Sequence, residues 1–481
     1  MSTLSVEVAV IGAGTAGLAA YRAAVAKGKR AVIIEGGPYG TTCARVGCMP
    51  SKLLIAAAEA AHAPVKWNEF GLRLDGNVVV DGPAVMSRVK RERDRFVGFV
   101  LEGVESIPAG DRIRGYARFV DDNTLVVDED LQAANAKAIR ITFERAVIAT
   151  GSSPAIPSFL SATNRLGDRL IVNDDVFSWN DLPKSVAIFG PGVIGLEIGQ
   201  ALHRLGVDVL LFGRSGHVGP FSDPMVRAYA LKQFSSELHL DAEAQVQSVT
   251  REGDEVEIAF RGRNGEIEIA RVEYVIAATG RTPNVGNLGL EHTSIAVDAS
   301  GIPLFDRTTM QCGASPFFIA GDANDELPLL HEAADEGKIA GDNAARWPNV
   351  ESGMRRTPLA VVFTDPQLAV VGLRHAELEP ASYVVGEVSF ENQGRSRVML
   401  RNRGMLHVYA EVATGLLLGA ELIGPDAEHL AHLLAWAIQS EMTVGRALEM
   451  PFYHPVVEEG LRTALRDAQA KLAAAQLKRA A

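Results

Sequence analysis

Cysteine is scarce in this sequence, with three residues in 481. No secretion signal is recognisable, because a strand-like apolar run, Val6–Ile11, begins almost at once. We therefore expect a reducing, cytoplasmic compartment, where a disulfide is more often catalytic or sensory than structural. Long apolar runs are also lacking, since none approaches the ~18 residues that a membrane span requires. The formal net charge of −12 disfavours nucleic acid and anionic membranes as partners.

Glycine, by contrast, is abundant, with 46 residues, which suits an α/β protein with tight strand-to-helix turns. After Val6–Ile11 come the turn GAGTAG, a helical pattern over Leu18–Ala26, a second strand-like run over Ala31–Ile34, and Glu35. In G-x-G-x-x-G the first glycine makes the turn, the second admits a pyrophosphate and the third lets helix and strand pack closely. This context predicts a nucleotide-binding βαβ unit. Its three glycines are Gly12, Gly14 and Gly17.

The same order recurs about 180 residues later. A strand-like run over Ser185–Phe189 leads into GPGVIG, then a helical pattern over Leu196–Leu205 and the strand-like run VDVLLF. The chain thus carries two predicted nucleotide-binding units. Its length suggests about three domains. The second set of glycines is Gly190, Gly192 and Gly195.

The two units differ at the position that reads the adenosine 2′ group. Glu35 follows Gly12 by 23 residues, whereas 23 residues after Gly190 the chain has Gly213, then Arg214. A carboxylate accepts hydrogen bonds from a free 2′-OH and repels a 2′-phosphate. The first site is therefore predicted to take a nucleotide with a free 2′-OH. The second lacks that repulsion and offers an arginine that could pair with a phosphate, or could be a solvated surface residue beside an NAD site.

The rest of the chain contains further strand-like runs and, toward its end, a different pattern of strands and helices. Beyond Trp347, alternating strands such as Leu406–Val412 surround a helical stretch over His429–Ser440, which predicts an α+β domain. The tail, Leu461–Ala481, contains neither proline nor glycine and is predicted to be a surface or interface helix. Three short motifs end strand-like runs with glycine, two of them as ATG, at Ala146–Gly151, Val275–Gly280 and Phe317–Asp325.

Two of the three cysteines, Cys43 and Cys48, lie in the stretch TTCARVGCMPSK. A metal site is disfavoured, because structural zinc needs about four ligands at tighter spacing and only Cys312 remains elsewhere. Two small buried thiols or a redox pair remain. In a regular helix, residues five apart have Cα atoms about 8–9 Å from each other, whereas a disulfide needs less than about 7 Å. A redox pair therefore requires a distorted helix start, which Gly47 and Pro50 permit.

Taken together, these motifs resemble the flavoprotein disulfide reductases of the glutathione reductase and dihydrolipoamide dehydrogenase type. The resemblance covers nearly the whole chain in order: GAGTAG with Glu35, CARVGCMPSK, IATGSSP, GPGVIGLE, AATGRTPN, AGDAND and HPVVEE. It implies an α/β fold with two Rossmann-like FAD- and NAD(P)-binding domains and a C-terminal α+β dimerisation domain. The implied boundaries are 1–150 for the first part of the FAD domain, 151–283 for the NAD(P) domain, 284–347 for the second, central part of the FAD domain, and 348–481 for the dimerisation domain.

The resemblance also implies residue roles. Cys43 would be the interchange thiol and Cys48 the thiol beside the flavin, with His454 and Glu459 as an acid–base pair contributed across a homodimer. A histidine can take the protons of a dithiol and a carboxylate can orient it. Lys52 and Glu197 match an ion pair near flavin N5. Further cofactor-binding residues implied by the match are Gly36, Thr42, Lys52, Ala117, Thr150, Gly151, Gly280, Gly321, Asp322, Leu330 and His331, beside the two glycine turns, Glu35, Gly213 and Arg214.

Within this family the segments LLHEAADEG and VFTDPQLAVVG are most similar to dihydrolipoamide dehydrogenase. The implied reaction couples dihydrolipoamide to NAD⁺ through FAD, with a small-molecule or lipoyl-domain dithiol as substrate and a 2-oxo acid dehydrogenase complex as a further partner. An NADPH-dependent reductase of another small disulfide is the alternative, which Gly213 and Arg214 favour. A non-catalytic flavoprotein subunit is a third hypothesis. No cysteine pair lies near either end of the chain, which argues against enzymes that use extra thiols.

Overall fold

The computed structural model describes residues 2–129, 138–161, 166–262 and 265–480. The strands of these residues are β1 (Ser2–Ile11), β2 (Ala31–Glu35), β3 (Arg112–Arg114), β4 (Tyr116–Asp121), β5 (Thr124–Asp128), β6 (Ala138–Ile148), β7 (Ser152–Pro154), β8 (Leu170–Val172), β9 (Ser185–Phe189), β10 (Asp208–Phe212), β11 (His239–Asp241), β12 (Gln245–Glu252), β13 (Glu255–Arg261), β14 (Ile267–Val272), β15 (Tyr274–Ala277), β16 (Arg281–Pro283), β17 (Phe317–Ile319), β18 (Leu359–Val362), β19 (Gln367–Gly372), β20 (Tyr383–Ser389), β21 (Met405–Glu411) and β22 (Leu417–Gly424).

The α-helices of the same residues are α1 (Thr15–Ala26), α2 (Thr42–Val46), α3 (Cys48–His62), α4 (Gly82–Glu105), α5 (Ser158–Ser161), α6 (Val193–Arg204), α7 (Pro224–Ser235), α8 (Leu330–Arg346), α9 (Gly394–Val398), α10 (Ala427–Gln439), α11 (Val444–Leu448) and α12 (Glu459–Ala480). Short 3₁₀ segments, among them Ala63–Phe70 and Gly321–Asn324, connect some of them. Within the described ranges, no helix is both long and apolar enough to cross a membrane.

The chain divides into two compact units. The first comprises Met1–Pro50, Val89–Ala155 and Arg281–Arg355, and the second comprises Ser51–Arg88, Ile156–Gly280 and Arg356–Ala481. The mixed α/β architecture agrees with the predicted fold class. The four domain boundaries given above remain a prediction.

The first unit is built on a seven-stranded sheet ordered β3-β2-β1-β6-β5-β4, with β17 paired to β6. Strands β1, β2, β6 and β17 are parallel and in register at their ends: Ile11 pairs with Ile34 and Ile148, and Ile148 pairs with Ile319. The four carboxyl ends therefore share one edge, which in an open parallel sheet is where ligands bind. The buried strand residues are almost all apolar, as expected for a sheet covered on both faces.

The second unit repeats this plan in a five-stranded parallel sheet ordered β11-β10-β9-β15-β8. Phe189 pairs with Phe212 and with Ala277, so the ends of β9, β10 and β15 are also level. Beyond it in sequence, an antiparallel sheet ordered β18-β19-β22-β21-β20 forms the α+β region. The predicted helix over 429–440 is α10.

The tail, predicted to be a surface or interface helix, forms α12. One face of α12 is buried in the core formed with the β18–β22 sheet. Leucine and alanine recur every three or four residues along it, so the apolar stripe is narrow but continuous. The buried residues on this face are Leu461, Ala464, Leu465, Ala468 and Leu472.

Candidate active site

The first glycine turn is packed as tightly as its motif predicts. Gly12 has φ +105°, and a Cβ placed on it would lie 2.2 Å from the carbonyl oxygen of Ala149. A Cβ on Gly17 would lie 1.9 Å from the carbonyl oxygen of Gly12, whereas one on Gly14 would meet no described atom within 4 Å. Glycine is therefore required at the first and third positions by packing, while the second faces open space before the N-terminus of α1. Open backbone at a helix N-terminus fits a pyrophosphate.

Polar groups converge on the same edge of the sheet. Glu35 accepts hydrogen bonds from the backbone N–H groups of Ala13 and Gly37, each at 2.7 Å. Thr150 follows β6, and its buried hydroxyl has no hydrogen-bond partner among the described residues. Buried hydroxyls are normally paired, so this orphan group fits a bound ligand. Gly151, the next residue, has φ +68°.

Gly36 and Ala117, two further predicted cofactor residues, have different surroundings. A Cβ on Gly36 would lie 2.4 Å from the ring of Tyr116, so the ring occupies the space of any side chain. Ala117 is buried in β4, with 9% of its surface exposed, and its side chain packs in the core. Only the backbone of Ala117 is therefore available to a ligand. Arg114 donates a hydrogen bond to the carbonyl oxygen of Gly37 at 2.6 Å, which fixes this turn from the other side.

The AGDAND motif follows β17 as a short 3₁₀ helix, with Gly321 at φ +70°. Asp322 accepts a hydrogen bond from the Ser152 hydroxyl at 2.6 Å. Helix α8 then begins at Leu330, and both Leu330 and His331 are exposed there. These four predicted residues thus lie on one short segment and the helix that follows it.

A buried carboxylate that the motifs do not predict holds this segment. Glu336, on α8, is fully buried and accepts hydrogen bonds from Gly321 N–H and the Asn324 side chain, both at 2.8 Å. Arg355 lies 2.8 Å from Glu336 and 3.0 Å from Glu332. Burial raises the pKa of Glu336, although Arg355 and the two hydrogen bonds oppose the rise.

The second glycine turn repeats the packing of the first. A Cβ on Gly190 would lie 2.3 Å from the carbonyl oxygen of Ala278, and one on Gly195 would lie 1.9 Å from that of Gly190. Gly192 again faces open space, and Gly280, at φ +114°, likewise has no described atom within 4 Å of a Cβ. The backbone geometry therefore fits a second nucleotide.

The space around the Cα of Gly213 is filled by neighbouring atoms. A Cβ there would lie 2.7 Å from the carbonyl oxygen of Ala242 and 2.8 Å from the ring of Pro191, the residue inside the second glycine turn. No side chain fits without a backbone shift, so the turn excludes a carboxylate at this position. Arg214 is exposed beside it.

The helix that carries the two cysteines is broken between them, as predicted. Helix α2 ends at Val46 and α3 begins at Cys48, with Gly47 outside helical geometry at φ −125° and ψ −115°. A Cβ on Gly47 would lie 3.3 Å from the Cα of Cys43, so the absence of a side chain permits a close approach. Cys48 is exposed and Cys43 is half-buried. Thr42 opens α2 after Thr41, which has φ +58°.

Lys52 and Glu197 form the predicted ion pair, in the second unit. The Lys52 ammonium lies 2.8 and 2.7 Å from the two carboxylate oxygens of Glu197. Glu197 is buried, with 5% of its surface exposed, and also accepts the backbone N–H of Phe363 at 2.8 Å. The ammonium lies 4.7 Å from the centre of the Phe363 ring, a cation–π distance.

His454 and Glu459 are also brought together. The Nδ1 atom of His454 lies 3.1 Å from each carboxylate oxygen of Glu459. Hydrogen bonding to His454 lowers the pKa of Glu459, with a further bond from the backbone N–H of Val456. The imidazole itself is 80% exposed, so Nε2 is open to a reactant. Cys312 is buried, and burial raises the pKa of its thiol to about 12.

Comparison with known proteins decides the family. Residues 6–337 match the family model described as pyridine nucleotide-disulphide oxidoreductase, and residues 359–465 match the dimerisation domain of the same family. The chain belongs to this family. Its members are flavoproteins that use FAD and NAD(P), which confirms the predicted cofactors.

Several relatives align with almost the whole chain of this oxidoreductase. A dihydrolipoyl dehydrogenase of Geobacillus stearothermophilus is 29% identical over 466 residues, covering 95% of this chain and 94% of that protein. A mercuric reductase of Shigella flexneri is 30% identical over 478 residues, covering 96% and 81%. Among solved structures, LpdA from Mycobacterium tuberculosis has a TM-score of 0.79 at 23% identity, covering 96% and 99%. The copper(II) complex of the Escherichia coli flavoprotein disulfide reductase RclA has a TM-score of 0.79 at 21% identity, covering 97% and 99%.

Several residues that contact the site lie outside the sequence motifs and were not predicted. Glu336 bonds the segment that carries Asp322 and is paired with Arg355, while Phe363 donates its N–H to Glu197, and Gln200 and Arg204 bond Asp365 two residues later. One signal was available: Glu197, Gln200 and Arg204 form a polar stripe with spacings of three and four on a helix that is otherwise mostly apolar.

Proposed function

We propose that this flavoprotein oxidises a dihydrolipoamide-type dithiol to its disulfide and reduces NAD(P)⁺, with Cys43 and Cys48 as its redox pair. The observation that carries the proposal is the helix break at Gly47, which interrupts regular helix geometry between the two cysteines and packs Gly47 against Cys43. Full-length similarity to dihydrolipoyl dehydrogenases supports the dithiol class. The match to the mercuric reductase covers 81% of that protein, whereas the match to the dihydrolipoyl dehydrogenase of Geobacillus stearothermophilus covers 94%.

The thiol step is an exchange. One substrate sulfur attacks Cys43 in a Cys43–Cys48 disulfide, the sulfur–sulfur bond breaks, and Cys48 leaves as a thiolate. The second substrate sulfur then attacks the mixed disulfide, which releases the cyclic disulfide product and leaves Cys43 reduced. Two electrons have passed from substrate to protein, and the protons must be taken up.

His454 is the proposed base for those protons. Its Nδ1 is bonded to Glu459, which leaves the exposed Nε2 to accept a proton from a substrate thiol. The carboxylate orients the ring and stabilises the imidazolium that forms. We propose that a second copy of the chain supplies this pair to each active site.

The residues around the first glycine turn fit FAD, and those around the second fit the nicotinamide nucleotide. Gly12, Gly14 and Gly17 would accommodate the pyrophosphate, Glu35 the ribose hydroxyls, and Thr150 and Asp322 further polar groups of the cofactor. Bound FAD would accept the electron pair from the dithiol and deliver it as hydride. The Lys52–Glu197 pair places a fixed positive charge for that step.

An apolar groove in the dimerisation domain supports a homodimer. The groove is lined by residues of α10, α12 and the segment before His454, including Leu433, Trp436, Phe452 and Tyr453. Trp436 and Tyr453 are 67% and 79% exposed in the single chain. Large exposed apolar side chains grouped in one groove are typical of a protein–protein interaction site. A second copy would bury them and set His454 beside the other active site. A 2-oxo acid dehydrogenase complex remains a proposed further partner.

A second candidate function is reduction of a small disulfide by NADPH, which runs the same residues in reverse. The crowding of Gly213 by Pro191 and Ala242 favours it, because the site cannot carry the carboxylate that would reject a 2′-phosphate.

Steady-state assays of the purified flavoprotein distinguish the two candidates. Dihydrolipoamide with NAD⁺ or NADP⁺ tests the first, and glutathione disulfide with NADPH tests the second. Turnover of lipoamide species that is lost in Cys43→Ser and Cys48→Ser supports the proposal. Absence of turnover with lipoamide and either nucleotide would contradict it.

A further inference from the structure

The second unit contains a buried polar network next to the Lys52–Glu197 pair, and the proposed reaction does not itself use it. We call this network the clamp. Three side chains of α6, Glu197, Gln200 and Arg204, lie on one face of the helix and all point at the same stretch of chain, Phe363–Asp365. Buried polar groups are normally hydrogen-bonded, and a fully bonded network of them holds the side chains and backbone segments that it joins in a single conformation.

Gln200 is the centre of the clamp. It is buried, with 4% of its surface exposed. Its side-chain oxygen accepts the backbone N–H of Asp365 at 2.8 Å, and its amide nitrogen donates to the backbone carbonyl of Asp365 at 2.9 Å. Both bonds are to backbone, so they fix the path of the chain. The amide also donates to Glu237 at 3.0 Å.

Arg204 extends the clamp by one turn. Its guanidinium is 3% exposed and donates to Glu237 at 2.6 Å and to the Asp365 carboxylate at 3.2 Å. Burial opposes ionisation of Asp365, yet its pKa is lowered, because Arg204 and Arg403 outweigh burial. The carboxylate therefore stays charged, and this end of the segment is tied to α6.

The clamped segment is the one that bonds the ion pair. Phe363 lies two residues before Asp365, and its N–H donates to the Glu197 oxygen that Lys52 also contacts. Its ring lies beside the Lys52 ammonium. Among the described residues, Lys52 and this N–H are the partners of the buried carboxylate, so loss of the N–H would leave it held through Lys52. The position of the ammonium thus depends on Phe363, and the position of Phe363 depends on Gln200 and Arg204.

We propose that Gln200 and Arg204 are positioning residues that act through Phe363–Asp365 to hold the Lys52 ammonium at one place. The expected effect on hydride transfer rests on the proposed function, since a displaced charge slows that step only if the Lys52–Glu197 pair takes part in it. The displacement itself is independent of any reaction.

Two measurements on the FAD-loaded protein test the inference. The first is the rate at which acetic anhydride labels Lys52, followed by peptide mass spectrometry. The second is the rate constant of flavin reduction by NADH or NADPH, by rapid mixing over a range of nucleotide concentrations. The variant is Gln200→Leu, which removes both backbone bonds at similar volume. The control is His203→Leu, an exposed position on the same helix.

In Gln200→Leu we expect Lys52 to be labelled several-fold faster. We also expect flavin reduction to be about tenfold slower at saturation, with the half-saturating nucleotide concentration within about twofold of wild type. Phe363→Leu keeps the N–H but removes the ring, and should give a smaller effect of the same sign. If Gln200→Leu does not fold, Gln200→Met removes the same bonds with a more adaptable side chain.

Labelling and reduction rates equal to those of His203→Leu, in a Gln200 variant that retains FAD, would overturn the inference. If wild type is reduced by neither nucleotide, the proposed function fails, while faster labelling of Lys52 in the variant still supports the clamp. The two failures are therefore distinguishable.

Discussion

At the scale of single residues, backbone conformation and side-chain identity disagree at Thr41, directly before the cysteine helix. Its φ of +58° with ψ of 151° is a conformation that glycine adopts readily and a β-branched residue does not. The hydroxyl contributes one long hydrogen bond, 3.3 Å from the N–H of Ala44. Thr41 therefore combines a weak cap with a strained backbone.

Thr41→Gly is expected to stabilise the protein. Relief of strain contributes roughly 1–3 kcal/mol, whereas the flexibility of glycine in the unfolded chain costs roughly 0.5–1 kcal/mol and the lost cap a few tenths. A net gain of about 1 kcal/mol should appear as a higher urea midpoint. Thr41→Ser keeps both the hydroxyl and the strained backbone and serves as the control. A lower midpoint for Thr41→Gly would contradict the argument.

Nucleotide choice is also decided by single residues. If Arg214 pairs with a 2′-phosphate, Arg214→Ala should raise KM for NADP(H) about tenfold, the equivalent of one charge-assisted hydrogen bond, and leave KM for NAD(H) nearly unchanged. Arg271→Ala, an exposed arginine paired with Glu257, is the matched control. Equal changes with both nucleotides would show that Arg214 does not read the 2′ group.

At the scale of elements, α7 is joined to β21 by a buried polar contact. Asp223, the N-cap of α7, accepts backbone N–H bonds from Met225 and Val226. The same carboxylate lies 2.7 Å from Nδ1 of His407 and accepts the Tyr409 hydroxyl at 3.0 Å. Burial alone would raise the pKa of Asp223, but the interaction with His407 and the two N–H bonds outweigh it, so the pKa is lowered.

The sign of this shift sets a pH dependence. A lowered pKa in the folded state means that the carboxylate stabilises the protein fully above its unfolded pKa, about 4, and loses that contribution as pH falls toward the folded value. Asp223→Ala should lower the free energy of unfolding by about 3 kcal/mol at pH 7, because it leaves buried partners unbonded.

Urea unfolding of wild type and Asp223→Ala at pH 7, 5 and 3 measures this effect. The difference should be similar at pH 7 and 5 and smaller at pH 3. Asp223→Asn, which keeps an oxygen for the cap, should lie between the two proteins at pH 7. A difference between wild type and Asp223→Ala that grows as pH falls would contradict the assignment.

The elements themselves follow from short-range pattern, whereas the supports of the site do not. The runs over Val6–Ile11 and Ser185–Phe189 were predicted to within a few residues, because an apolar strand ending in glycine is a local signal. The break at Gly47 followed from the length that a disulfide can span. The packing of Pro191 against Gly213, and the bonds from Gln200 to Asp365, join residues far apart in sequence. The polar stripe on α6 singles out Gln200, but no periodicity identifies Asp365 as its partner, or Pro191 as a neighbour of Gly213, before the fold is known.

At the scale of the whole molecule, we propose that the active site needs two copies of the chain, since His454 lies in the region that matches the dimerisation domain and beside the apolar groove. In a two-fold dimer each copy would lend its His454 to the cysteines of the other. Variants that are each inactive can then restore one another, whereas a site built within one chain cannot be restored this way.

Co-expression of differently tagged Cys48→Ser and His454→Gln chains tests this arrangement. Each homodimer should be inactive. In a mixed dimer, the site that combines Cys48 of one chain with His454 of the other is intact, and the second site carries both changes. Random pairing makes half of the dimers mixed with one intact site each, so the pool should show about one quarter of wild-type activity. Mixed dimers isolated by both tags should show about half, and activity no higher than that of the separate variants would place His454 at the cysteines of its own chain.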